Sequence, residues 1–269
     1  ELGRRKFSVL TGVNTLFNGL LHAPGFAELD FSQLKAVIGG GAAVQESVAK
    51  RWQEVTGHFI TEAYGLTEAS PAVCANPLDM QWNGSVGLPL PSTEVSIRDD
   101  AFNPLTPWLG DDARDLHTGE LCVRGPQVMK GYWNVPDESA RVLRDGWLRT
   151  GDLGHMNADG FITITDRQKD LILVSGFNVY PNEVESVVAA LPGVLECGVC
   201  GVPDERTGEA VKVSIVRRDP TLTKEDVLAH CKTLLTGYKL PRHIEFRDAL
   251  PKTPVGKVLR RALRDAPPN

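Results

Sequence analysis

The chain has 269 residues, enough for one large domain or two smaller ones, each with its own hydrophobic core. Its balance of 42% hydrophobic and 23% charged residues is ordinary for a globular protein, and its net charge of −5 gives no basic surface for nucleic acid. The sequence contains no apolar run near the ~20 residues that a membrane-spanning helix needs.

Five cysteines occur at irregular spacing, an odd number that favours free thiols in a reducing compartment over a disulfide framework. We therefore expect a cytoplasmic protein. Cys197 and Cys200 have the spacing of a redox pair, but they lie in the apolar run LECGVCGV, without the strand-then-helix context of such a motif. Packing in the core is the favoured interpretation of both.

Residues 1–84 have the pattern of an α/β layer. Helical pieces are predicted around residues 11–21, and a short buried strand over 34–38 runs into three consecutive glycines. An amphipathic helix follows, and a second strand is predicted over residues 59–64. In such layers the ligand site lies at the carboxyl ends of the strands, so we expect a site in the loops that follow them.

Residues 85–167 have a different pattern. Short alternating segments over 94–97, 120–123 and 161–164 are separated by turns rich in Pro, Gly and Asp. This spacing predicts a small barrel or a strongly bent sheet.

Residues 168–269 are predicted to form a small α+β domain, with the boundary near residues 167–169. Its expected elements are a helix opening at Pro181, paired strands over 194–202 and 210–216, a helix after the capping box Thr223-Lys-Glu-Asp226, a strand over 243–246 and a helix over 258–263. The arginines of the last helix, Arg260, Arg261 and Arg264, are interpreted as a solvated face.

Two loops at strand ends carry residue types suited to a nucleotide. Residues 64–68, YGLTE, place a hydroxyl beside a carboxylate, which could meet a Mg²⁺-bound phosphate, and a flat ring that could cover a purine. Residues 39–43, GGGAA, let a ligand approach the backbone, although no Lys-Ser or Lys-Thr follows as in a Walker A loop. An ordinary polar loop and a strand-to-helix turn explain these two segments equally well.

A third candidate site is the run WLRTGD, which ends at Asp152 and is followed fourteen residues later by Asp166-Arg167. We interpret Asp152 as lying in a tight turn, where its carboxylate could accept hydrogen bonds from two vicinal ribose hydroxyls. Arg167 supplies donors that stay charged at every relevant pH.

Residues 146–185 as a whole resemble the junction between the core and the lid of the adenylate-forming enzymes, the superfamily of acyl-CoA synthetases and ligases. The run PKTPVGKVLRR, residues 251–261, matches the last motif of that family. Residues 119–133, 145–152 and 174–183 look like the corresponding segments of bacterial long-chain fatty-acid–CoA ligases. The resemblance covers nearly the whole chain.

The fold class that this resemblance implies is α/β. Residues 1–167 would be the C-terminal part of a large adenylation core with an α/β layer and a β-barrel-like part, and residues 168–269 would be a small mobile α+β lid domain.

The resemblance also implies catalytic roles. Thr67 would contact the α-phosphate, Glu68 would hold Mg²⁺ and Tyr64 would pack on adenine. Lys257, on a loop of the lid, would offset the charge that develops when a carboxylate attacks a phosphate.

Further implied contacts surround the nucleotide. Asp152 and Arg167 would converge on one ribose, and Lys169 would be the pivot on which the lid turns. The remaining residues that would contact the nucleotide, or border the pantetheine of coenzyme A, are Gly40, Gly41, Ala42, Gly65, Ser175, Gly176 and Phe177.

The implied reaction converts a fatty acid and ATP into an acyl-adenylate and pyrophosphate, and then transfers the acyl group to the thiol of coenzyme A with release of AMP. ATP or AMP, Mg²⁺ and coenzyme A are the expected cofactors, and the fatty acid is the expected partner. Peripheral contact with a membrane and a homodimer stay open. Another acyl- or aryl-CoA ligase, a luciferase-like enzyme and a non-catalytic nucleotide-binding module are the alternatives.

The sequence departs from the family in one respect. The Ser/Thr/Gly-rich loop that clamps the β- and γ-phosphates has no match in residues 1–269, and the chain has about half the usual length of the family. We therefore expect a C-terminal portion that, alone, binds AMP weakly and adenylates poorly. Efficient ATP–pyrophosphate exchange by residues 1–269 would contradict this expectation.

Overall fold

The structure is a computed structural model that describes residues 2–110, 114–254 and 256–264. The chain divides into two compact units, Glu1–Thr165 and Asp166–Asn269. Val255, inside the motif predicted near the C-terminus, lies outside the described residues.

The first unit begins with a five-stranded sheet of order β1-β2-β3-β4-β5. These strands are Val9–Gly12, Ala36–Gly40, Thr61–Gly65, Ala72–Ala75 and Leu88–Pro89. The first three run parallel to one another, and β4 is antiparallel to both of its neighbours. Helices α1 (Asn14–Leu21) and α2 (Glu46–Thr56) join the parallel strands. The carboxyl ends of β2 and β3 therefore lie at one edge of this sheet, as the sequence predicts.

The helix predicted around residues 11–21 is wrong at its start, where Val9–Gly12 forms strand β1 instead. β1 pairs in parallel with β2, so tertiary pairing outweighs the local preference in this short segment. Helix α1 begins at Asn14 and buries Phe17, whose ring meets that of Trp52 from α2 edge-on at 5.0 Å. Through this aromatic contact, α1 and α2 pack in one hydrophobic core.

A second five-stranded sheet follows, with order β10-β9-β7-β6 and with β8 beside β9. Its strands are β6 Glu94–Arg98, β7 Gly119–Arg124, β8 Leu143–Arg144, β9 Trp147–Met156 and β10 Ile162–Arg167. Helix α3, Pro136–Val142, precedes β8. The strands predicted over 94–97, 120–123 and 161–164 are confirmed. Leu121, Leu148 and Ile162 are buried in the core of this sheet.

The second unit is an α+β layer, as the sequence predicts. Its sheet has the order β12-β11-β14-β13, with β15 beside β14. The strands are β11 Ile172–Val174, β12 Phe177–Val179, β13 Val194–Asp204, β14 Gly208–Arg217 and β15 His243–Arg247, and the helices are α4 Pro181–Ala189, α5 Lys224–Leu234 and α6 Arg260–Arg264. β13 and β14 are antiparallel over ten paired positions, whereas β15 runs parallel to β14. The predicted capping box of Thr223 and Asp226 is present at the start of α5.

All five cysteines are free and buried, and Cys197 and Cys200 lie in strand β13, as predicted. Within the described ranges, none of the helices has the length and apolar character needed to cross a bilayer.

Candidate functional site

Asp152 lies inside strand β9 and not in the tight turn predicted from the sequence. β9 is ten residues long and contains a bulge opposite β7, where the register shifts between Glu120 and Cys122. Gly151, which precedes Asp152, has φ 72°, a conformation that Gly adopts without a steric penalty. The tight backbone that the sequence indicates is thus a bulge in a long strand, and it holds a carboxylate that is only 4% exposed.

The bulge is held by Glu120, a residue that the sequence analysis did not single out. Its carboxylate accepts a hydrogen bond from the Gly151 backbone N–H at 3.0 Å and pairs with Arg149 at 2.7 Å. Glu120 is 8% exposed, so both of its oxygens have partners inside the protein. The alternating pattern of β7 predicts that Glu120 lies in a strand. Nothing in the local sequence indicates that Glu120 binds the backbone of a bulge in β9.

Tyr64 and Asp152 come together although 88 residues separate them in the sequence. The Tyr64 hydroxyl, at the end of β3, donates a hydrogen bond to Asp152 Oδ2 at 2.6 Å. Burial and then the neighbouring Asp152 carboxylate raise the pKa of Tyr64, so the phenol stays protonated and acts as a donor. Two residues that the sequence analysis assigned separately to a nucleotide are therefore in direct contact.

The loop after β3 carries the other predicted polar residues of this unit. Thr67 and Glu68 open a short 3₁₀ turn; Thr67 is exposed, and Glu68 is half-buried and accepts a hydrogen bond from the Tyr132 hydroxyl at 2.8 Å. Gly65 is required here, because a Cβ at this position would lie 2.0 Å from the carbonyl oxygen of Pro71. The turn thus presents a hydroxyl and a carboxylate on successive residues next to Tyr64.

The glycine-rich turn after β2 is the second predicted loop of the first unit. Gly40 ends β2 and Gly41 has φ 78°, while Gly41 and Ala42 are exposed. The backbone N–H of Val44 donates to Glu62 Oε1 at 3.0 Å, which fastens the turn to β3. Burial raises the pKa of Glu62 to about 7.

The second unit presents its predicted residues on two exposed segments. Arg167 ends β10, and Lys169 lies in the 3₁₀ turn Gln168–Asp170; both are exposed. Ser175 and Gly176 form the turn between β11 and β12, with φ of 52° and 83°. Phe177 follows, mostly exposed, and its ring stacks on that of Tyr238 with centroids 5.0 Å apart.

Lys257 lies in a compact loop that connects β15 to α6. Its backbone N–H donates to Thr253 Oγ1 at 3.2 Å, and its carbonyl accepts from the Thr253 N–H at 2.8 Å. Gly256 has φ 84°, the conformation that lets the loop close. Lys257 is therefore held through its backbone while its side chain stays half-buried.

The interpretation of Arg260 as a solvated residue is wrong. Its side chain is 16% exposed and pairs with Asp166 and Glu185, whereas Arg261 and Arg264 are exposed as predicted. Several arginines within one short helix are typical of a solvated face, and the shielding of one of them from water depends on carboxylates that lie far away in the sequence.

Two family models and several known relatives match the chain. Residues 1–133 match the model of the AMP-binding enzyme family, and residues 183–257 match that of the AMP-binding enzyme C-terminal domain. The chain is 56% identical over 266 residues to a long-chain-fatty-acid–CoA ligase of Yersinia pestis, covering 98% of this chain and 46% of the relative. It is 37% identical to a feruloyl-CoA synthase of Amycolatopsis, covering 97% and 52%.

Solved structures show the same fold. ATP-bound MatB from Rhodopseudomonas palustris superposes with a TM-score of 0.88 at 35% identity, covering 98% of this chain and 51% of that one. The chain thus spans about half the length of the relatives it matches. Because two family models match it, and because it shares its fold and motifs with the relatives above, this chain belongs to the AMP-binding enzyme family.

Proposed function

We propose that this chain takes part in the ATP-dependent ligation of a long-chain fatty acid to coenzyme A. The observation that carries the proposal is the buried Asp152 carboxylate, bonded to Tyr64 beside the Thr67-Glu68 turn. This arrangement offers an acceptor for ribose hydroxyls next to groups suited to phosphate and Mg²⁺. The 56% identity to a long-chain-fatty-acid–CoA ligase supports the choice of acid.

The reaction has two steps. In the first, a carboxylate oxygen of the fatty acid attacks the α-phosphorus of ATP, and the bond to pyrophosphate breaks. In the second, the thiol of coenzyme A attacks the carbonyl carbon of the acyl-adenylate, loses its proton, and AMP leaves. Both steps bring anions together, so the protein must supply donors and cations where negative charge develops.

In the first unit, we assign Tyr64 to the adenine face, Thr67 to the α-phosphate and Asp152 to the ribose hydroxyls. The Asp152 carboxylate accepts a hydrogen bond from Tyr64 at Oδ2, and a carboxylate is the natural acceptor for the hydroxyls of a vicinal diol. We assign the backbone that borders the nucleotide to Gly40, Gly41, Ala42 and Gly65, which have no large side chain.

In the second unit, we assign Arg167 to the ribose and Lys169 to the pivot of the lid. Ser175, Gly176 and Phe177 are assigned to the pantetheine of coenzyme A. Their exposure, and the positive φ of the first two, support a loop that approaches a ligand closely.

Lys257 is assigned to the adenylation step. An ammonium group that reaches the reacting carboxylate and α-phosphate lowers the repulsion between them and stabilises the transition state. The short, backbone-bonded loop that holds Lys257 supports this role, because a positioned cation needs no reorganisation when charge develops.

Glu68 fits a Mg²⁺ site that is completed by substrate. Within the described residues, no group of three or more His, Cys, Asp or Glu is placed to hold a metal. Mg²⁺ commonly binds through one or two carboxylates together with phosphate oxygens and water, which matches a single half-buried carboxylate next to the hydroxyl of Thr67. Bound there with ATP, Mg²⁺ would neutralise phosphate charge.

A chimera tests the proposal. Residues 1–269 replace the matching segment of the Yersinia pestis ligase, and thioester formation is measured with ATP, coenzyme A and palmitate. We expect activity with palmitate, and a loss of about 10²–10³ in the rate of ATP–pyrophosphate exchange for Lys257→Ala. The exposed Arg261→Ala, four residues further on, is the matched control and should keep the rate.

Other outcomes would select the alternatives. Thioester formation with ferulate and not with palmitate would identify an aryl-CoA ligase, in line with the 37% identity to a feruloyl-CoA synthase. AMP binding that Asp152→Asn weakens, without thioester from any acid, would leave a nucleotide-binding module.

Location and assembly complete the proposal. The need for ATP and coenzyme A supports a cytoplasmic location, the apolar substrate supports peripheral contact with a membrane surface, and a homodimer is the assembly to be tested. Vesicle flotation and light scattering of the purified chain test the last two points.

A further inference from the structure

Arg260 contacts three carboxylates from three different elements. Its guanidinium nitrogens lie 2.8 Å from Asp166, 3.3 Å from Asp170 and 2.9 Å from Glu185. A second nitrogen reaches the other oxygen of Glu185 at 3.1 Å, and the side-chain amide oxygen of Asn182 accepts a further hydrogen bond. We call these five residues the Arg260 cluster. All of them lie in the second unit.

Two of the carboxylates enclose the predicted pivot. Asp166 lies near the end of β10 and Asp170 at the end of the 3₁₀ turn, so both belong to a hinge segment, residues 166–170, that contains Lys169. One guanidinium reaches both carboxylates only while the backbone between them keeps this turn. A rotation at Lys169 changes the spacing of its two flanking carboxylates, because a pivot absorbs its motion in a few φ/ψ angles.

The same arginine also lies close to Lys257 along the chain. Arg260 opens α6 only three residues after Lys257, and the described residues before the helix, 251–254 and 256–258, are called the Lys257 loop. The far end of α6 is held as well, because Lys212 Nζ donates to the carbonyl of Leu263 at 3.1 Å. Contacts thus hold α6 at both ends, and its first residue, Arg260, contacts the hinge segment.

The charges make these contacts mutually dependent. Burial, together with the nearby Glu185 carboxylate, raises the pKa of Asp166 to about 6, against the opposing effect of Arg260 and the Asn182 N–H. The three carboxylates raise the pKa of Arg260 even though its burial opposes this. A single cation therefore faces more negative charge than it neutralises. Without Arg260, the carboxylates would repel one another, which would favour conformations that expose them to water.

We propose that Arg260 is a positioning residue that ties the hinge segment to the Lys257 loop, so that the predicted pivot and the predicted catalytic lysine are held by one side chain. The proposal deepens the function proposed above, since the roles of Lys169 and Lys257 rest on it. The mechanical link itself rests only on the contacts of the Arg260 cluster. It is therefore measurable in the purified chain without substrate.

Hydrogen exchange of the 269-residue chain tests the link. We expect Arg260→Gln to speed amide exchange at least about tenfold in both the hinge segment and the Lys257 loop, because local protection follows local stability. Asp170→Asn changes only the hinge segment, yet we expect it to speed exchange in the Lys257 loop as well. Arg261→Gln, on the exposed face of the same helix, is the matched control and should change neither.

Limited proteolysis gives an independent readout. Trypsin cleaves after Arg167 and Lys169, and we expect faster cleavage at both bonds in Arg260→Gln. Arg260→Lys keeps the charge but lacks the planar group that serves several carboxylates at once, so we expect intermediate rates. Loosening confined to the segment that carries the substitution would overturn the proposal. If Arg260→Gln fails to fold, Asp170→Asn and Arg260→Lys decide by the same criterion.

A kinetic measurement separates this inference from the proposed function. In the chimera, Arg260→Gln should lower kcat for ATP–pyrophosphate exchange about tenfold and leave KM for ATP unchanged, because its guanidinium is engaged by the carboxylates of the cluster and would act only through the Lys257 loop. Coupled exchange with no ligase activity in the unsubstituted chimera would refute the function and keep the link. Ligase activity with uncoupled exchange would refute the link alone.

Discussion

Removal of the Tyr64 hydroxyl is expected to destabilise the first unit. The hydroxyl donates to Asp152 Oδ2 at 2.6 Å, and Asp152 is only 4% exposed, so water cannot replace the lost donor. A hydrogen bond to a charged group contributes about 1.5–3 kcal/mol net. We therefore expect Tyr64→Phe, which keeps the ring, to lower the free energy of unfolding by about 1.5–3 kcal/mol.

Tryptophan fluorescence measures this unit separately, because every tryptophan of the chain lies in it. They are Trp52, Trp82, Trp108, Trp133 and Trp147. Urea unfolding followed at the tryptophan emission thus reports the stability of the first unit without a contribution from the second. The comparison variant is Asp152→Asn, whose amide oxygen can still accept from Tyr64. In that background Tyr64→Phe should cost only about 0.5–1.5 kcal/mol, the value for a neutral hydrogen bond.

The difference between the two backgrounds is the coupling energy of the pair, and we expect about 1–2 kcal/mol. A cost of Tyr64→Phe below about 0.5 kcal/mol would show that the hydrogen bond contributes nothing in solution. An equal cost in both backgrounds would show that the hydroxyl does not act through Asp152. Either result would refute the reasoning that places these two residues in one site.

Three further predictions concern burial and charge. The pKa of Asp166 is raised from 3.8 to about 6, so its carboxyl group binds a proton more tightly in the folded state than in the unfolded state. The free energy of unfolding of the second unit should therefore fall by up to about 3 kcal/mol as the pH rises from 3.8 to about 6. Hydrogen exchange of its sheet measures this fall, and Asp166→Asn should abolish that component. Gly65→Ala should destabilise the first unit by at least about 2 kcal/mol, because the new Cβ would collide with the Pro71 carbonyl. Gly19→Ala, at an open position of α1, should stabilise the first unit by about 0.5–1 kcal/mol in the same urea assay. The five buried cysteines should not react with Ellman's reagent in the native chain and should all react in urea, since burial suppresses the thiolate; a fast native reaction would contradict their burial.

Much of the fold was predictable because its elements have strong local signals. The paired strands β13 and β14, the capping box at Thr223 and the helix opening at Pro181 each combine a periodic apolar pattern with a clear start or stop signal. Strand β1 was not predictable, because four residues carry too little periodicity and its pairing partner is decided by the tertiary fold. The same holds for the two-residue strand β8.

The sequence indicates candidate site residues through their motifs but does not indicate their structural setting. Asp152 stands out through its motif, but its place in a bulge of β9 depends on a register that only the pairing with β7 reveals. The contact of Tyr64 with Asp152 likewise joins two strands from different sheets, and no spacing in the sequence reports it. Spacing indicates which residues share a motif, whereas the pairing of strands determines which side chains meet.

Glu120 and Arg260 were missed for one physical reason, and that reason says where else to look. Each is a charged residue in a pattern typical of a surface. Glu120 is buried and Arg260 is only 16% exposed, because partners distant in the sequence compensate their charges. Each also lies beside a residue that the sequence singles out, since Glu120 accepts a hydrogen bond from Gly151 in the bulge that contains Asp152, and Arg260 begins the helix that follows the Lys257 loop. Groups that meet a ligand need rigid support, and an ion pair that is shielded from water is directional enough to supply it. Substitutions at such supporting charges should therefore alter the geometry of the site while leaving its ligand-contacting residues unchanged.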